Sequence, residues 1–258
     1  MQSWKRPQMP LRPPRSRLRL DLCVDDDIVY AVGDVHGALK ALLALEDEIV
    51  EDAKKFSGRK AIVMLGDYVD RGPASAQVIN HLLAAPPHGF ERLCLAGNHE
   101  ILMLDYLEGR IGRSDWLRAG ATATLASYGI DSTRLAAGWR SSEAWDEAVE
   151  EAIPPAHRAF LRDLPILIET DRHLLVHAGL RPNVALADQS DHDLAFIRSE
   201  FLDVPYEERQ LLVHGHTPIT EPKLEGRRLN IDTGACFSGR LTAVRLWRAT
   251  GRFLVGRG

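Results

Sequence analysis

The sequence predicts an α/β fold built on a parallel sheet, and three observations carry that prediction. First, an apolar run that stops at glycine and then gives ligand-type side chains occurs three times. The runs are Ile28-Val29-Tyr30-Ala31-Val32-Gly33-Asp34, Ile62-Val63-Met64-Leu65-Gly66-Asp67 and Leu93-Cys94-Leu95-Ala96-Gly97-Asn98. Short apolar runs stopped by glycine read as buried strands. Second, Asp34, Asp67 and Asn98 stand 33 and 31 residues apart, about one βαβ unit each. Third, helix-like segments fill the gaps between the runs. Right-handed crossovers then bring all three strand ends to one edge of the sheet.

Taken in order, residues 28–33 form the first strand. Residues 38–56 follow as a helix, with Leu39, Leu42, Leu43, Ile49, Ala53 and Phe56 near helical spacing. Ser57-Gly58 closes it, and the strand before Asp67 begins. Gly72-Pro73 suits a helix start, so residues 75–85 read as a second helix, ended by Pro86-Pro87-His88-Gly89. Residues 93–96 are the third strand. Residues 100–163 read as a helical cap inserted in the domain. Its Trp116, Leu117, Leu125, Tyr128, Trp139 and Trp145 are assigned to packing, the usual place of aromatics at irregular spacing. The second half is β-rich, with strands over residues 166–169, 174–177, 211–214, 228–232 and 241–247. Two of these end in histidine-bearing turns, His177-Ala178-Gly179 and His214-Gly215-His216-Thr217-Pro218.

Composition narrows the function classes. The 258 residues are 45% hydrophobic and 26% charged, as in an ordinary globular protein, and no apolar run approaches a membrane span. Net charge is −4, but the first 20 residues hold six basic and no acidic side chains, so the remainder carries −10. An acidic body argues against nucleic acid as a partner. The basic, proline-rich segment 1–20 lacks the apolar core of a secretory signal and reads as a flexible arm. Residues 21–258 form the single domain. Three cysteines, Cys23, Cys94 and Cys236, show no paired spacing, which points to reduced thiols and a cytoplasmic protein.

The polar residues at the strand ends make chemical sense together. Alternation puts Asp34 and His36 on one face of an extended segment, within reach of one cation. Asp67 has two oxygens and can bridge that cation to a second, completed by Asn98, His177 and one histidine of the 214–216 pair. Such a mixed set without thiolate suits manganese first, with iron or zinc as alternatives. Two cations would polarise a phosphoryl oxygen and generate hydroxide near neutral pH. Arg71 offers a planar fork to phosphate oxygens. His99, next to Asn98, is in position to protonate a leaving oxygen, with Asp70 fixing its tautomer.

Gly33-Asp34-Val35-His36-Gly37, Gly66-Asp67-Tyr68-Val69-Asp70-Arg71-Gly72 and Gly97-Asn98-His99-Glu100 resemble the three signature motifs of the PPP-type serine/threonine protein phosphatases, within the calcineurin-like metallophosphoesterases. The resemblance continues through His177-Ala178-Gly179, Gly215-His216-Thr217-Pro218 and Asn230-Ile231-Asp232-Thr233-Gly234. It implies a four-layer α/β/β/α sandwich of two mixed sheets with a dimetal centre. Carried over residue by residue, it gives the first metal Asp34, His36 and Asp67, and the second Asp67, Asn98, His177 and His216. It gives His99 and Asp70 as proton donor and partner, Arg71 as a phosphate ligand, and Arg198 as a second one.

Pro218 stands where wider relatives often carry a last histidine, which suits a PPP member. Ala96 replaces the usual basic residue before the third motif, and the blocks that follow it in eukaryotic members are absent, which implies a bacterial type. The expected function is hydrolysis of phosphoserine and phosphothreonine monoesters, in proteins or small esters. The first alternative is a symmetrical dinucleoside polyphosphate hydrolase. Residues 234–243 resemble that family, but its central motif usually has alanine where Asp70 stands. The second alternative is a non-catalytic binding module that keeps the fold.

Overall fold

The computed structural model describes residues 16–21, 27–131, 142–248 and 250–258. Cys23, Trp139 and residues 1–15 of the expected arm lie outside the described residues. In chain order the strands are β1 (Arg19–Asp21), β2 (Ile28–Val32), β3 (Lys60–Met64), β4 (Phe90–Cys94), β5 (Leu167–Glu169), β6 (His173–Val176), β7 (Leu211–His214), β8 (Lys223–Glu225), β9 (Arg228–Asn230), β10 (Arg240–Trp247) and β11 (Thr250–Arg257). The helices are α1 (Leu39–Ala53), α2 (Ser75–Leu83), α3 (Asn98–Leu107), α4 (Arg113–Arg118), α5 (Ala121–Ser127), α6 (Ser142–Ala152), α7 (Pro155–Asp163), α8 (Asp191–Phe196), α9 (Ser199–Leu202) and α10 (Ala235–Ser238).

Two mixed sheets face each other. One runs β11-β10-β2-β3-β4, the other β1-β5-β6-β7-β9-β8. Strands β2, β3 and β4 are parallel, with Ile28 opposite Lys60 and Lys60 opposite Phe90. Period-2 alternation sorts the side chains of β2 into two cores. Val29 and Ala31 meet Ile168, Leu175 and Val213 between the sheets. Ile28, Tyr30 and Val32 turn outward to the α1 stripe Leu42, Leu45, Ile49 and Ala53. A strand buried on both faces reads as an unbroken apolar run, which is how the sequence shows it. Leu43, counted with the α1 stripe, is exposed.

Four elements differ from expectation, each for a physical reason. The third strand starts at Phe90 rather than 93 and ends at Cys94. As the edge of its sheet it carries Glu91 and Arg92, so hydrophobicity does not mark its start. Strands β8 and β11 were not expected; both lie at sheet edges and carry Lys, Arg or Gly, as edges tolerate. Residues 19 and 20, assigned to the flexible arm, form β1, parallel to β5. The basic side chains here cap carbonyls: the Arg17 guanidinium donates to Leu161 O at 3.1 Å and Leu164 O at 2.9 Å, and Arg19 donates to Leu186, Ala187 and Gln189 carbonyls.

The cap helices α3 to α7 pack through buried Trp116, Leu125 and Trp145. Tyr106 stacks on Trp116 with ring centroids 5.0 Å apart and donates to Asp146 at 2.6 Å. Among the described residues, no helix is long and apolar enough to cross a membrane.

The Arg17→Ala variant removes two charge-assisted bonds to the end of α7. It is expected to cost about 1–3 kcal/mol, read as a lower thermal midpoint with unchanged turnover at 25 °C. An unchanged midpoint would show that β1 needs no such anchor.

Candidate dimetal centre

The three strand exits of the first sheet deliver Asp34, Asp67 and Asn98, and loops after β6 and β7 deliver His177 and His216. All five are buried. The backbone that carries them is held in the left-handed region at His36 (φ 43°), Asp67 (52°), Asp70 (68°), Arg71 (67°) and His216 (66°). Non-glycine residues in this region cost about 1–3 kcal/mol each and persist only where surrounding structure over-determines them. Glu100 supplies much of that constraint. Its fully buried carboxylate accepts from the N–H groups of Asp67 (2.7 Å), Tyr68 (2.7 Å), Val69 (3.2 Å) and Gly97 (2.9 Å). Gly97 cannot carry a side chain, since a Cβ there would stand 2.2 Å from Asp67 Oδ1, and one on Gly215 would stand 2.0 Å from Asp34 Oδ1.

Asp67 is the hub. Its Oδ2 lies 3.2 Å from His36 Nε2 and 3.9 Å from His99 Nε2, and its Oδ1 lies 3.4 Å from His177 Nε2. On the other side His177 Nε2 stands 3.1 Å from both Asn98 Oδ1 and His216 Nδ1. Among the described residues, two groups can thus converge on an ion: His36, Asp67 and His99, and Asp67, His177 and His216. Asp67 belongs to both. Asp34 belongs to neither; its oxygens accept from His216 N–H at 3.0 and 3.2 Å. The expected first set of Asp34, His36 and Asp67 is therefore only partly gathered, with His99 standing in the cluster.

The donor chemistry explains why this assembly suits cations. His36 Nδ1 faces Val69 O at 2.8 Å and His177 Nδ1 faces Leu65 O at 3.0 Å, so these nitrogens carry the hydrogens. The inward Nε2 atoms are left as lone pairs. Burial pushes His177 down to about 4 and His216 down to about 2, so both rings are neutral at physiological pH. Neutral His177 Nε2 faces the Asp67 carboxylate at 3.4 Å, while at His36 burial works to lower the imidazole but the Asp67 carboxylate 3.2 Å away raises it above the ordinary value. Burial works against the Asp67 carboxylate, but the imidazoles beside it, His99 and His36 among them, hold it well below the ordinary range. Asp34 is pushed well above that range by burial and by the Asp232 and Asp67 carboxylates. Divalent cations relieve all of these repulsions at once, and the ligand types fit manganese, iron or zinc.

A second assembly borders the cluster. His99 Nδ1 lies 2.7 Å from Asp70 Oδ2, both buried. Thr124 of α5 donates to Asp70 Oδ1 at 2.8 Å and accepts from Asp70 N at 2.7 Å. Arg71 donates to His36 Nε2 at 2.8 Å and to His99 Nε2 at 2.9 Å, spanning the two assemblies. Arg198 is exposed and donates to Thr217 Oγ1 at 3.3 Å, beside His216. His214 stays out of the cluster: its Nδ1 faces Gly215 O, and its ring packs edge-on against Phe201.

Sequence reasoning gave no role to Glu100, Thr124 or Asp232. Asp232 is buried, its Oδ1 accepts from Gly234 N–H at 2.9 Å, and its Oδ2 has no hydrogen-bond partner among the described residues. A signal for it existed, because Leu229-Asn230-Ile231-Asp232-Thr233-Gly234 also ends a strand in a carboxylate near glycine.

Fold and site together define a phosphoesterase of the two-metal type. The chain belongs to the calcineurin-like phosphoesterases, whose family model matches residues 29–238. It is 25% identical over 235 residues to the asymmetrical bis(5'-nucleosyl)-tetraphosphatase PrpE of Bacillus thuringiensis (strain Al Hakam), covering 83% of this chain and 88% of that protein. The protein of the same name from Halalkalibacterium halodurans is 26% identical over 238 residues, with the same coverage. Among solved structures, a putative diadenosine tetraphosphatase superposes with a TM-score of 0.63 at 18% identity, covering 92% of this chain and 97% of that one. A cold-active protein-tyrosine phosphatase of a psychrophilic Shewanella gives 0.57 at 18% identity, covering 93% and 83%. At these identities the structures speak for the fold alone.

Because Asp67 is shared, Asp67→Asn is expected to lower bound manganese from about two ions per chain to less than one, read by calorimetry and elemental analysis. His177→Ala should remove about one. Retention of both ions by Asp67→Asn would refute the shared-ligand geometry.

Proposed function

We propose that the protein hydrolyses dinucleoside tetraphosphates asymmetrically, as a metal-dependent phosphoesterase. The chemistry rests on the convergence of ligand atoms about Asp67. The choice of substrate is supported by relatives, aligned over most of both chains, that are named for that activity. This reading departs from the expectation of a phosphoserine and phosphothreonine phosphatase and lies nearer the dinucleoside alternative. It differs from that alternative in the bond cleaved, since the relatives are named asymmetrical.

Cations held by His36, Asp67, Asn98, His177 and His216, with Asp34 alongside, would supply Lewis-acid polarisation of phosphoryl oxygens and acidify water. The chain's own residues do the rest. Arg71 forks between His36 and His99; an arriving phosphate offers that guanidinium two anionic oxygens, a better match than two imidazoles. The exchange frees His99 Nε2, which accepts from Arg71 until then; once it has taken a proton from water, it can pass that proton to the leaving oxygen. Asp70 holds the opposite ring nitrogen, and Thr124 holds Asp70.

One observation favours a second reading, a phosphomonoesterase acting on phosphoserine or phosphothreonine. The buried His99–Asp70 pair is the device an alkoxide leaving group needs, whereas a nucleotide leaves as a stable phosphate anion. The two readings separate on product analysis. With manganese and diadenosine tetraphosphate, the first predicts ATP and AMP; two ADP would indicate symmetrical cleavage. Hydrolysis of a phosphothreonine peptide with no turnover of the dinucleotide would overturn it in favour of the second. The His99→Asn variant should lose roughly 10²–10⁴-fold in kcat on the phosphopeptide and less than about tenfold on diadenosine tetraphosphate. Equal losses on both would remove His99 from leaving-group protonation.

A further inference from the structure

Phe237 is 73% exposed, the most exposed large apolar side chain among the described residues. Single exposed apolar residues are ordinary and mean nothing by themselves. Phe237 differs in how it is held and where it stands. It lies in α10, a single turn tied down at both ends. Phe237 N–H and Ser238 N–H donate to Gly234 O at 2.9 and 2.8 Å. Ser238 Oγ donates to Thr233 O at 2.8 Å, and Thr233 Oγ1 donates to Arg240 O at 2.8 Å. The ring is therefore presented to solvent by rigid backbone rather than by a loose loop.

Its position is the rim of the site. The turn follows Asp232 directly, and Gly234 borders both the Phe237 ring and Pro218: a Cβ on Gly234 would lie 3.7 Å from each. Pro218 follows His216 and Thr217, and Thr217 carries the Arg198 contact. The neighbouring Cys236 is within electrostatic reach of Arg71, Asp232 and Asp34. The exposed ring thus stands one turn beyond buried Asp232 and shares the surroundings of Gly234 with Pro218, two residues from His216, where exposed Arg198 meets Thr217. Cations that take phosphates, followed by a flat apolar ring, match a nucleoside phosphate chain read from its phosphate to its base.

We propose that Phe237 is the stacking platform for a nucleobase of the substrate, the subsite that distinguishes a nucleotide from a bare phosphoester. The inference rests on the dinucleoside reading for its substrate, but it can be tested apart from it. Adenosine monophosphate and ribose 5-phosphate differ only in the base, so their Kd values for the manganese-loaded full chain isolate stacking. Wild type should bind the former roughly 5- to 150-fold more tightly, the fold-change expected for one base on an aromatic ring. Phe237→Ala should abolish that preference, and Phe237→Trp should keep it. With diadenosine tetraphosphate, Phe237→Ala should raise KM relative to that for β-glycerophosphate by a similar factor. Equal Kd values for the two ligands in wild type, or a preference that survives in Phe237→Ala, would overturn the inference. Should wild type bind with the base preference yet fail to cleave diadenosine tetraphosphate, the stacking site stands and the substrate reading falls.

Discussion

The structure depends on one buried carboxylate that touches no ligand. Glu100 gathers four backbone N–H groups from two separate strand exits and ties the loop after β3 to the start of α3. That clamp fixes Asp67 in the left-handed region, where its side chain faces both cation positions. Hydrogen bonds to a charged group contribute about 1.5–3 kcal/mol each, enough together to offset the strain of several left-handed residues. Asp67 O adds a second tie, accepting from Val35 and His36 N–H at 3.1 and 2.7 Å. The hub is thus over-determined from two directions before any ion arrives.

The electrostatics follow from that placement. Asp34, Asp67, Glu100 and Asp232 are buried close together. Burial raises Asp34 and Asp232, and burial with the Asp67 charge takes Glu100 up to about 7. Left to themselves, Asp34, Glu100 and Asp232 tend to hold protons beside the ionised Asp67. Divalent charge would let all four ionise together, so the folded chain and its cations are expected to be thermodynamically linked. Fully buried Tyr68 ties the ends of β3 and β4 together, donating to Leu95 O at 2.6 Å and lying 3.2 Å from Met64 O.

Much of this was legible in the sequence, and the rest was hidden for definable reasons. Asp34, His36, Asp67, Asn98, His177 and His216 could be picked out because each follows an apolar run near glycine, a pattern set by strand burial. Glu100 sat inside a quoted motif without a role, because accepting backbone N–H groups leaves no periodic trace. Thr124 was invisible, being 54 residues from Asp70 and joined to it only by the packing of the cap. β1 was misread because arginines normally mark solvent; Arg17 and Arg19 instead spend their donors on carbonyls at turns. The edge strands β8 and β11 were missed because a strand with one open side need not be apolar.

The division of labour between core and cap bears on substrate choice. Ligand residues hang on strand exits, where parallel register fixes them to within the rigidity of the sheet. The His99–Asp70 pair shares that support only in part: His99 follows Asn98 at the β4 exit, but Asp70 exchanges hydrogen bonds with Thr124, and Arg71 N–H donates to Gly120 O at 3.2 Å, both partners in the cap. Cap packing therefore bears on Asp70 and Arg71 more directly than on Asp67 or Asn98. On the proposed reading, the grip of α5 on Asp70 would tune the leaving-group side of the reaction. The turn bearing Phe237 lies between β9 and β10 and is tied to the start of β10, and none of the bonds that hold it among the described residues reaches the cap helices. On the proposed readings, leaving-group chemistry and base recognition would then be set by two separate parts of the chain acting on one centre.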